Sequence, residues 1–396
     1  MTIFYITNIT REASACFGSF PGRKCSLLPG LLFGVILVCF CGCQPEPSNR
    51  QGFDMPRLSS PEFARGFAIA KTDEAHYVQT NLQNDTMLYV KGLSGEAIPA
   101  GAIALPDTIQ RLVVLSTTHI AFVDILHALD AIHGVPNPAL ICNSEVREAI
   151  VNEKILPVSM NGQVDVEAVL ALEPDLVLAS SLPGQSSELV QIQQLGIPVL
   201  SVGEWLEPTV LGRTEWMRLF GVLLGKEKRA DSLFAIKKAR YQAFARRGKM
   251  VDQPLQVVCN VPYEDIWYVP GGNNYMANLL ADAGIIYPWA QTDNSGSLAL
   301  DVETVYPIAL QADAWLLTSN IQSLAQLTGR DERFARFAPV ENGMVFSSNR
   351  ITCERGSEFW ETGVVNPEKM LGDLLALFYP ELMPGYQLHY YQKIQP

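Results

Sequence analysis

Between residues 66 and 90 apolar and polar positions alternate with a period of two, in Gly66-Phe67-Ala68-Ile69-Ala70, Tyr77-Val78-Gln79-Thr80 and Met87-Leu88-Tyr89-Val90, with polar turns between them. This pattern predicts a small antiparallel sheet at the start of a first lobe. From Arg111 the pattern changes. Leu112-Val113-Val114-Leu115 predicts a buried strand, Ser116-Thr117-Thr118-His119 a polar loop, and Ile120 to Leu129 an apolar helix. A helical stretch over Val169 to Leu172 and strands at Leu176 to Ala179 and Pro198 to Val202 continue the alternation, which favours a parallel sheet wrapped by helices.

Pro208 through Arg247 holds few breakers, with Gly212, Gly221 and Gly225 interrupting it. Gly225 is expected to end one helix and Lys226 to Arg247 to form another, roughly 30 Å long at about 1.5 Å per residue. Its charges, among them Lys226, Lys228, Arg229, Lys237, Lys238, Arg240, Arg246 and Arg247, surround Leu233, Phe234, Tyr241 and Phe244. That fits either a partly exposed amphipathic helix or a rigid strut between lobes. A second alternating half follows, with a strand over Leu255 to Val261, a helix over Asn274 to Ala283 and a strand at Val345 to Ser348. The last helix runs from Pro367 to Phe378, with Asn366 as its expected cap and Pro367 in its first turn.

One unit occurs twice. Asp165-Val166-Glu167-Ala168-Val169 leads into Pro174-Asp175-Leu176-Val177-Leu178, and Asp301-Val302-Glu303-Thr304-Val305 leads into Ala312-Asp313-Ala314-Trp315-Leu316. Each copy is a capping Asp, a Glu two residues later, a helix, an Asp and a buried strand. The fold class is therefore α/β: two Rossmann-like lobes with mostly parallel sheets, joined by a long α-helix, with a cleft between them lined by strand-end loops. Residues 61–205 are assigned to the N-terminal lobe, 206–250 to a helical linker and 251–396 to the C-terminal lobe.

Composition adds that 396 residues, 48% of them hydrophobic, are ample for two cores. Arg23 and Lys24 precede an apolar stretch from Leu27 through Phe40, then Cys41-Gly42-Cys43-Gln44. The apolar stretch is shorter than the roughly 20 residues of a spanning helix, and Pro29 sits in its start, so an export signal is expected. It resembles a bacterial lipoprotein signal, which implies residues 1–42 as the leader and Cys43 as the lipidated residue. Residues 43–60, beginning Cys43-Gln44-Pro45-Glu46-Pro47, form a tether.

Without the leader, which carries Arg11, Arg23, Lys24 and Glu12, the chain is more acidic than its full-length formal charge of −12. That argues against nucleic acid or an anionic membrane surface as partner. Beyond Cys43 only Cys142, Cys259 and Cys353 remain. An exported compartment permits a disulfide, with Cys259–Cys353 the first choice because both lie in the second half; three buried free thiols are the other reading.

The segments Arg111 to Ser116, Val166 to Ala179, Gly196-Ile197-Pro198-Val199, Pro270-Gly271-Gly272-Asn273-Asn274, Ala283-Gly284 and Asp301 to Leu317 resemble, in order and spacing, the substrate-binding proteins of ATP-driven bacterial importers. The class is the one with two lobes and a rigid linking helix that serves iron-siderophore, haem and vitamin B12 uptake. The likeness covers most of residues 110–380. It implies a monomeric binding protein without cofactor, lipid-anchored in the cell envelope and facing the periplasm, whose partner is an inner-membrane permease dimer. In that family a surface Glu on each lobe docks on the permease, and the matching positions are Glu167 and Glu303. The plain alternative is a Glu favoured in a helix's first turn.

His76, His119, His127 and His133 lie in the first half and only His389 in the second, so a bare zinc or manganese ion held between lobes is disfavoured. A chelated metal is preferred, iron-siderophore or haem before a corrinoid. The vitamin B12 binders place aromatics just before the docking Glu, whereas here those stretches read Ser159-Met160-Asn161-Gly162-Gln163 and Asn294-Ser295-Gly296-Ser297-Leu298. Such a ligand wants aromatic walls and a few polar anchors. The candidates are Ser116, Thr117, Thr118 and His119 in the first lobe. In the second they are Tyr263, Trp267, Tyr268, Asn273, Asn274, Tyr275, Arg350, Arg355, Phe359 and Trp360. His119 is either an axial nitrogen or a hydrogen-bonding loop residue, Arg350 and Arg355 are either carboxylate partners or solvated surface groups, and Trp360, with Trp289, is either ligand wall or core. The rival classes are a lipid-anchored exported enzyme, such as a metal chelatase, and a structural surface lipoprotein. G-x-S-x-G, H-E-x-x-H and P-loop motifs are absent from the sequence.

Overall fold

The computed structural model describes residues 55–395, apart from Asn84, Asn161, Leu182 and Pro183 and the side chains of Glu96 and Met160. The expected leader, Cys43 and the tether as far as residue 54 lie outside the described residues. The period-two runs form β1 (Phe67–Lys71), β2 (His76–Leu82) and β3 (Asp85–Lys91), paired antiparallel. A short β4 (Ile103–Leu105), too brief to show a period, adds parallel to β3. Buried carboxylates fasten the chain leading into this sheet. Glu207 accepts the amides of Arg65 and Gly66 and the Trp216 Nε1 proton, while Glu215 accepts the amides of Glu62, Phe63 and Ala64. Amide donors of this kind are what make a buried carboxylate tolerable.

The first parallel sheet has the order β11-β10-β5-β6-β7. Its strands are β5 (Leu112–Val114), β6 (Ile132–Val135), β7 (Leu156–Pro157), β10 (Leu176–Ala179) and β11 (Val199–Ser201), with a small hairpin of β8 (Ser159–Met160) and β9 (Gln163–Val164) beside it. Helices α1 (Thr117–Ile125), α2 (Ser144–Val151), α3 (Val166–Ala171) and α4 (Ser187–Gln194) alternate with the strands. The linker holds α5 (Val210–Glu215), α6 (Met217–Leu224) and the 22-residue α7 (Glu227–Gly248), with Gly225 as the left-handed cap that separates α6 from α7. Phe234 and Tyr241 are buried on α7 while Lys228, Arg240 and Arg246 stay exposed, so the helix lies amphipathically on the body.

In the second half β12 (Val257–Cys259), β15 (Ala314–Leu317) and β16 (Val345–Ser347) are parallel, and β17 (Gln392–Lys393) closes the edge antiparallel. An antiparallel pair of β13 (Ile266–Pro270) and β14 (Ser297–Asp301), which the apolar pattern does not reveal, stands apart from that sheet. The helices are α8 (Tyr275–Asp282), α9 (Val302–Gln311), α10 (Leu324–Thr328), α11 (Ala338–Glu341), α12 (Glu358–Thr362) and α13 (Pro367–Phe378). Four core clusters result among the described residues, the smallest being Ala70, Ala75, Tyr77 and Val90 in the antiparallel sheet. One fills the second lobe around Trp267, Trp315, Phe334 and Phe337, and two lie on the faces of the first sheet.

The repeated unit is repeated in space. Asp175 Oδ2 accepts the Arg111 amide at 2.8 Å, and Leu176 pairs with Leu112. Asp313 Oδ2 accepts the Gln256 amide at 2.7 Å, and Ala314 pairs with Val257. In both lobes the Asp before the later strand thus fixes the register of the earlier, adjacent one. The caps differ. Asp165 accepts the Ala168 amide, but Asp301 makes no capping bond, and Asn366 turns its side chain to Thr362 O, Tyr390 Oη and Lys237 instead of capping α13.

The expected Cys259–Cys353 bridge does not form. Cys353 pairs with Cys142, 211 residues away in the first lobe, and Cys259 is a buried free thiol in β12, held protonated because burial pushes its pKa to about 12. Membership of the same half was the wrong criterion, since the loop carrying Cys353 lies against the first lobe.

Beside this bridge Glu361 Oε2 and Oε1 accept the amides of Cys142 and Asn143 at 2.6 and 2.9 Å. Burial pushes the Glu361 carboxyl up to about 7 against the pull of both amides, with Glu358 and Asp124 pushing the same way. The folded state therefore keeps this proton to a higher pH than the unfolded chain does. Its contribution is full below about pH 4.5 and is lost as pH rises to about 7. Glu361→Gln is expected to flatten the fall in unfolding free energy between pH 4.5 and 7.5 by about 2–3 kcal/mol. Urea titrations at the two pH values check this, and equal slopes for both proteins would contradict it.

Candidate functional site

Each lobe has one place where successive strands turn to opposite sides of the sheet. In the first it lies between β5 and β10; in the second it lies between β12 and β15, because the parallel bridge Gln256–Ile286 puts the next segment on the far side of β12 from β15. Crevices of open α/β sheets form outside the carboxyl ends of the strands at such points. In the first lobe the chain leaving β5 enters α1 at once. Ser116 caps it by accepting the Thr118 amide, and Thr117, Thr118 and His119 are its first turn, so the expected polar loop is a helix start. Thr118 is buried, and His119 is fully buried against Phe220 with its pKa lowered to about 3 by burial. An axial nitrogen for a ligand in the cleft is therefore excluded for His119 in this conformation.

In the second lobe Asn260 follows β12 with a left-handed φ of 62°. Its side chain joins Tyr268 O and Thr318 Oγ1, and its carbonyl accepts Trp315 Nε1, which ties the two strand ends together. Trp267 belongs to the core, fully buried beside Trp315 and Phe337 with Nε1 donating to Cys259 O, because the antiparallel β13–β14 register turns it inward. Phe359 is likewise buried, against Tyr391. Asn274 spends its side chain on capping α8 and on Ser295 O; Asn273 beside it is exposed, and Tyr268 and Tyr275 are half-buried.

Two groups that the sequence reading missed join the lobes. Glu204 and Arg213 lie 3.9 Å apart, both buried, and the Arg213 guanidinium stacks over the Tyr275 ring at 4.1 Å. Burial raises the Glu204 pKa, and Arg213 followed by Thr118 pulls it back. Ser116, Thr118, Glu204, Arg213 and Tyr275 thus form a polar line from one lobe to the other. Glu204 Oε2 and Arg213 Nε along that line have no hydrogen-bond partner among the described residues. Trp205, next to Glu204, is 37% exposed on the loop after β11, its ring held by Nε1 donating to Ser180 O. A Trp three residues beyond an apolar strand was the available signal. Tyr263 after β12 and Ile351 and Trp360 after β16 are also exposed, as are Arg350 just before Ile351 and Arg355 shortly after it. The segments that follow strands in both lobes therefore carry aromatic surface, and those of the second add cationic groups.

Glu167 and Glu303 are exposed in the first turns of α3 and α9.

Comparison with known proteins gives a match to the family described as periplasmic binding protein over residues 112–348. An uncharacterized lipoprotein of Methanocaldococcus jannaschii is 24% identical over 72% of this chain and 69% of its own. The Fe(3+) dicitrate-binding periplasmic protein of Escherichia coli is 24% identical over 70% of this chain and 88% of its own. Among solved structures, a periplasmic haem-binding protein from Pseudomonas aeruginosa superposes with a TM-score of 0.56 at 18% identity, covering 73% of this chain and 99% of that one.

Proposed function

Since this chain belongs to the periplasmic binding protein family, we propose that it captures a metal chelate, an iron-siderophore or haem before a corrinoid, and hands it to an inner-membrane permease without chemical change. The observation that carries the reading is the exposure of Trp205, Tyr263 and Trp360, each by more than a third, on a 3-10 turn after β11, the loop after β12 and helix α12, all in segments that follow strands of the two lobes. Flat or rounded chelates with carboxylate arms suit aromatic walls and guanidinium partners, here Arg350 and Arg355. Delivery rests on Glu167 and Glu303 as docking groups, one per lobe. Export and a lipid on Cys43 would hold the protein at the membrane, facing the periplasm.

The test is quenching of tryptophan fluorescence in soluble protein from residue 44 onward, titrated with haem, ferric siderophores and cobalamin. One of them is expected to quench saturably and to be recovered unchanged. Trp205→Phe with Trp360→Phe is expected to remove most of the signal, because the other tryptophans described, Trp216, Trp267, Trp289 and Trp315, are buried. Silence with every chelate would remove the cargo reading, and an altered ligand would move weight to an enzyme.

A further inference from the structure

The cations of this acidic chain are segregated. α7 turns Ala230, Phe234, Tyr241 and Gly248 to the body, while Lys228, Arg240, Arg246 and Arg247 are exposed and Lys249 follows just past its end, exposed too. Asp231 is the one carboxylate at an exposed position of α7, and Arg218 holds it at 3.0 Å. Glu227 is half-buried and taken by His76 and Lys71. Lys228, Arg240 and Arg246 form no ion pair among the described residues. Gln242, Ala245, Arg246 and Lys249 line an open groove of about 340 Å³. Two apolar side chains stand out in the same stretch, Ile236 at 48% and Met250 at 66% exposed. The helix dipole favours cations in a last turn and so accounts for Arg246 and Arg247. It gives no reason for Lys228 in the first turn, where a cation is disfavoured.

We propose that the outer face of α7 is a docking surface for the anionic phospholipid headgroups of the membrane, on which the protein rests between encounters with its permease. The acidic charge of the whole opposes such a partner at a distance. In contact the balance changes, because charges further than about 8 Å from the surface are screened at physiological ionic strength, and the cations of α7 are the ones within that range. Each Lys or Arg beside an anionic leaflet raises affinity roughly fivefold. Ile236 and Met250 supply the apolar contact that interfacial helices make below the headgroups. The chain entering the body also meets this helix, since Glu62 accepts Lys238 Nζ at 2.7 Å and the Phe63 ring lies 6.1 Å from that of Phe234. Cys43 stands 19 positions before Glu62. That is at most about 65 Å of chain, so a lipid there tethers the body at its α7 side. The tether step rests on the lipid reading of Cys43; the charge segregation does not. Glu167 and Glu303 lie on α3 and α9, so resting and permease docking use different surfaces.

The test is sedimentation of soluble protein from residue 44 onward, which has no lipid and needs no cargo, with vesicles of phosphatidylcholine alone or mixed equally with phosphatidylglycerol. Binding to the mixed vesicles only is expected, weakening as salt is raised. Arg240→Glu with Arg246→Glu and Lys249→Glu is expected to weaken it about a hundredfold or more. Lys154→Glu with Arg330→Glu and Lys393→Glu makes the same charge change at exposed positions elsewhere and is expected to cost less than about threefold. In this protein Cys142 and Cys353 are bonded and Cys259 is buried, so Met250→Cys takes a single environment-sensitive dye. Its emission is expected to shift to the blue on the mixed vesicles. Equal sedimentation with both vesicles, equal losses in the two triple variants, or an unshifted dye on bound protein overturns the proposal. So does failure to sediment with either vesicle; self-association at the same concentrations would then give the face to a second copy. The cargo titration uses the same protein without vesicles, so failure of one reading is distinguished from failure of the other.

Discussion

Glu167→Arg combined with Glu303→Arg is expected to abolish uptake of the cargo while leaving the protein folded and able to bind it. Both carboxylates are exposed at the start of a helix, and the two helices are equivalent members of the repeated unit. Close charge pairs across interfaces couple by about 1.5–7 kcal/mol, and a reversal replaces attraction by repulsion. Two reversals therefore lower docking by about a hundredfold or more even at the weak end of that range. The fold is spared, because a cation in the first turn of a helix costs only about 0.3–1 kcal/mol. Each single reversal is expected to leave partial uptake. Uptake of labelled cargo by cells carrying the double variant is the measurement. A wild-type rate, with folding and cargo affinity intact, would falsify the docking role.

Asp373→Ala is expected to lower stability by about 3–5 kcal/mol, the range for removing one partner of a buried charged network. Asp373 is fully buried on α13, and its two oxygens accept the amides of His389, Tyr390 and Tyr391 and the Tyr386 hydroxyl. These bonds hold the chain that leads into β17, so truncation strands three amides and loosens the sheet edge together. Asp373→Asn keeps one accepting oxygen and is expected to lose about half as much. Urea denaturation checks both, and a loss under about 1 kcal/mol for the alanine variant would show that water satisfies those amides.

Elements whose pattern is local and long were legible in the sequence. Lys226 to Arg247 was expected as a helix and Glu227–Gly248 is one; Pro367–Phe378 was read residue for residue. The repeat was legible because each copy keeps the same spacing of Asp, Glu, Asp and apolar run. The β13–β14 pair was not, since its partners are separated by α8 and the loop after it, and no local period betrays such a pairing. His119 read as a loop residue because three hydroxyl residues precede it, yet Ser116 used one of them as a cap and carried His119 into the helix.

The sequence by itself determined the α/β alternation, the two lobes and the paired Glu positions, because apolar periodicity, caps and breakers act over a few residues and repeat. Only the tertiary structure decided that Cys353 bonds Cys142 and not Cys259, that Trp267 is core, and that Glu204 and Arg213 meet Tyr275 between the lobes. These outcomes depend on which loops the strand order brings together, 211 residues apart for the disulfide, and on which face a strand buries once its partner is in place.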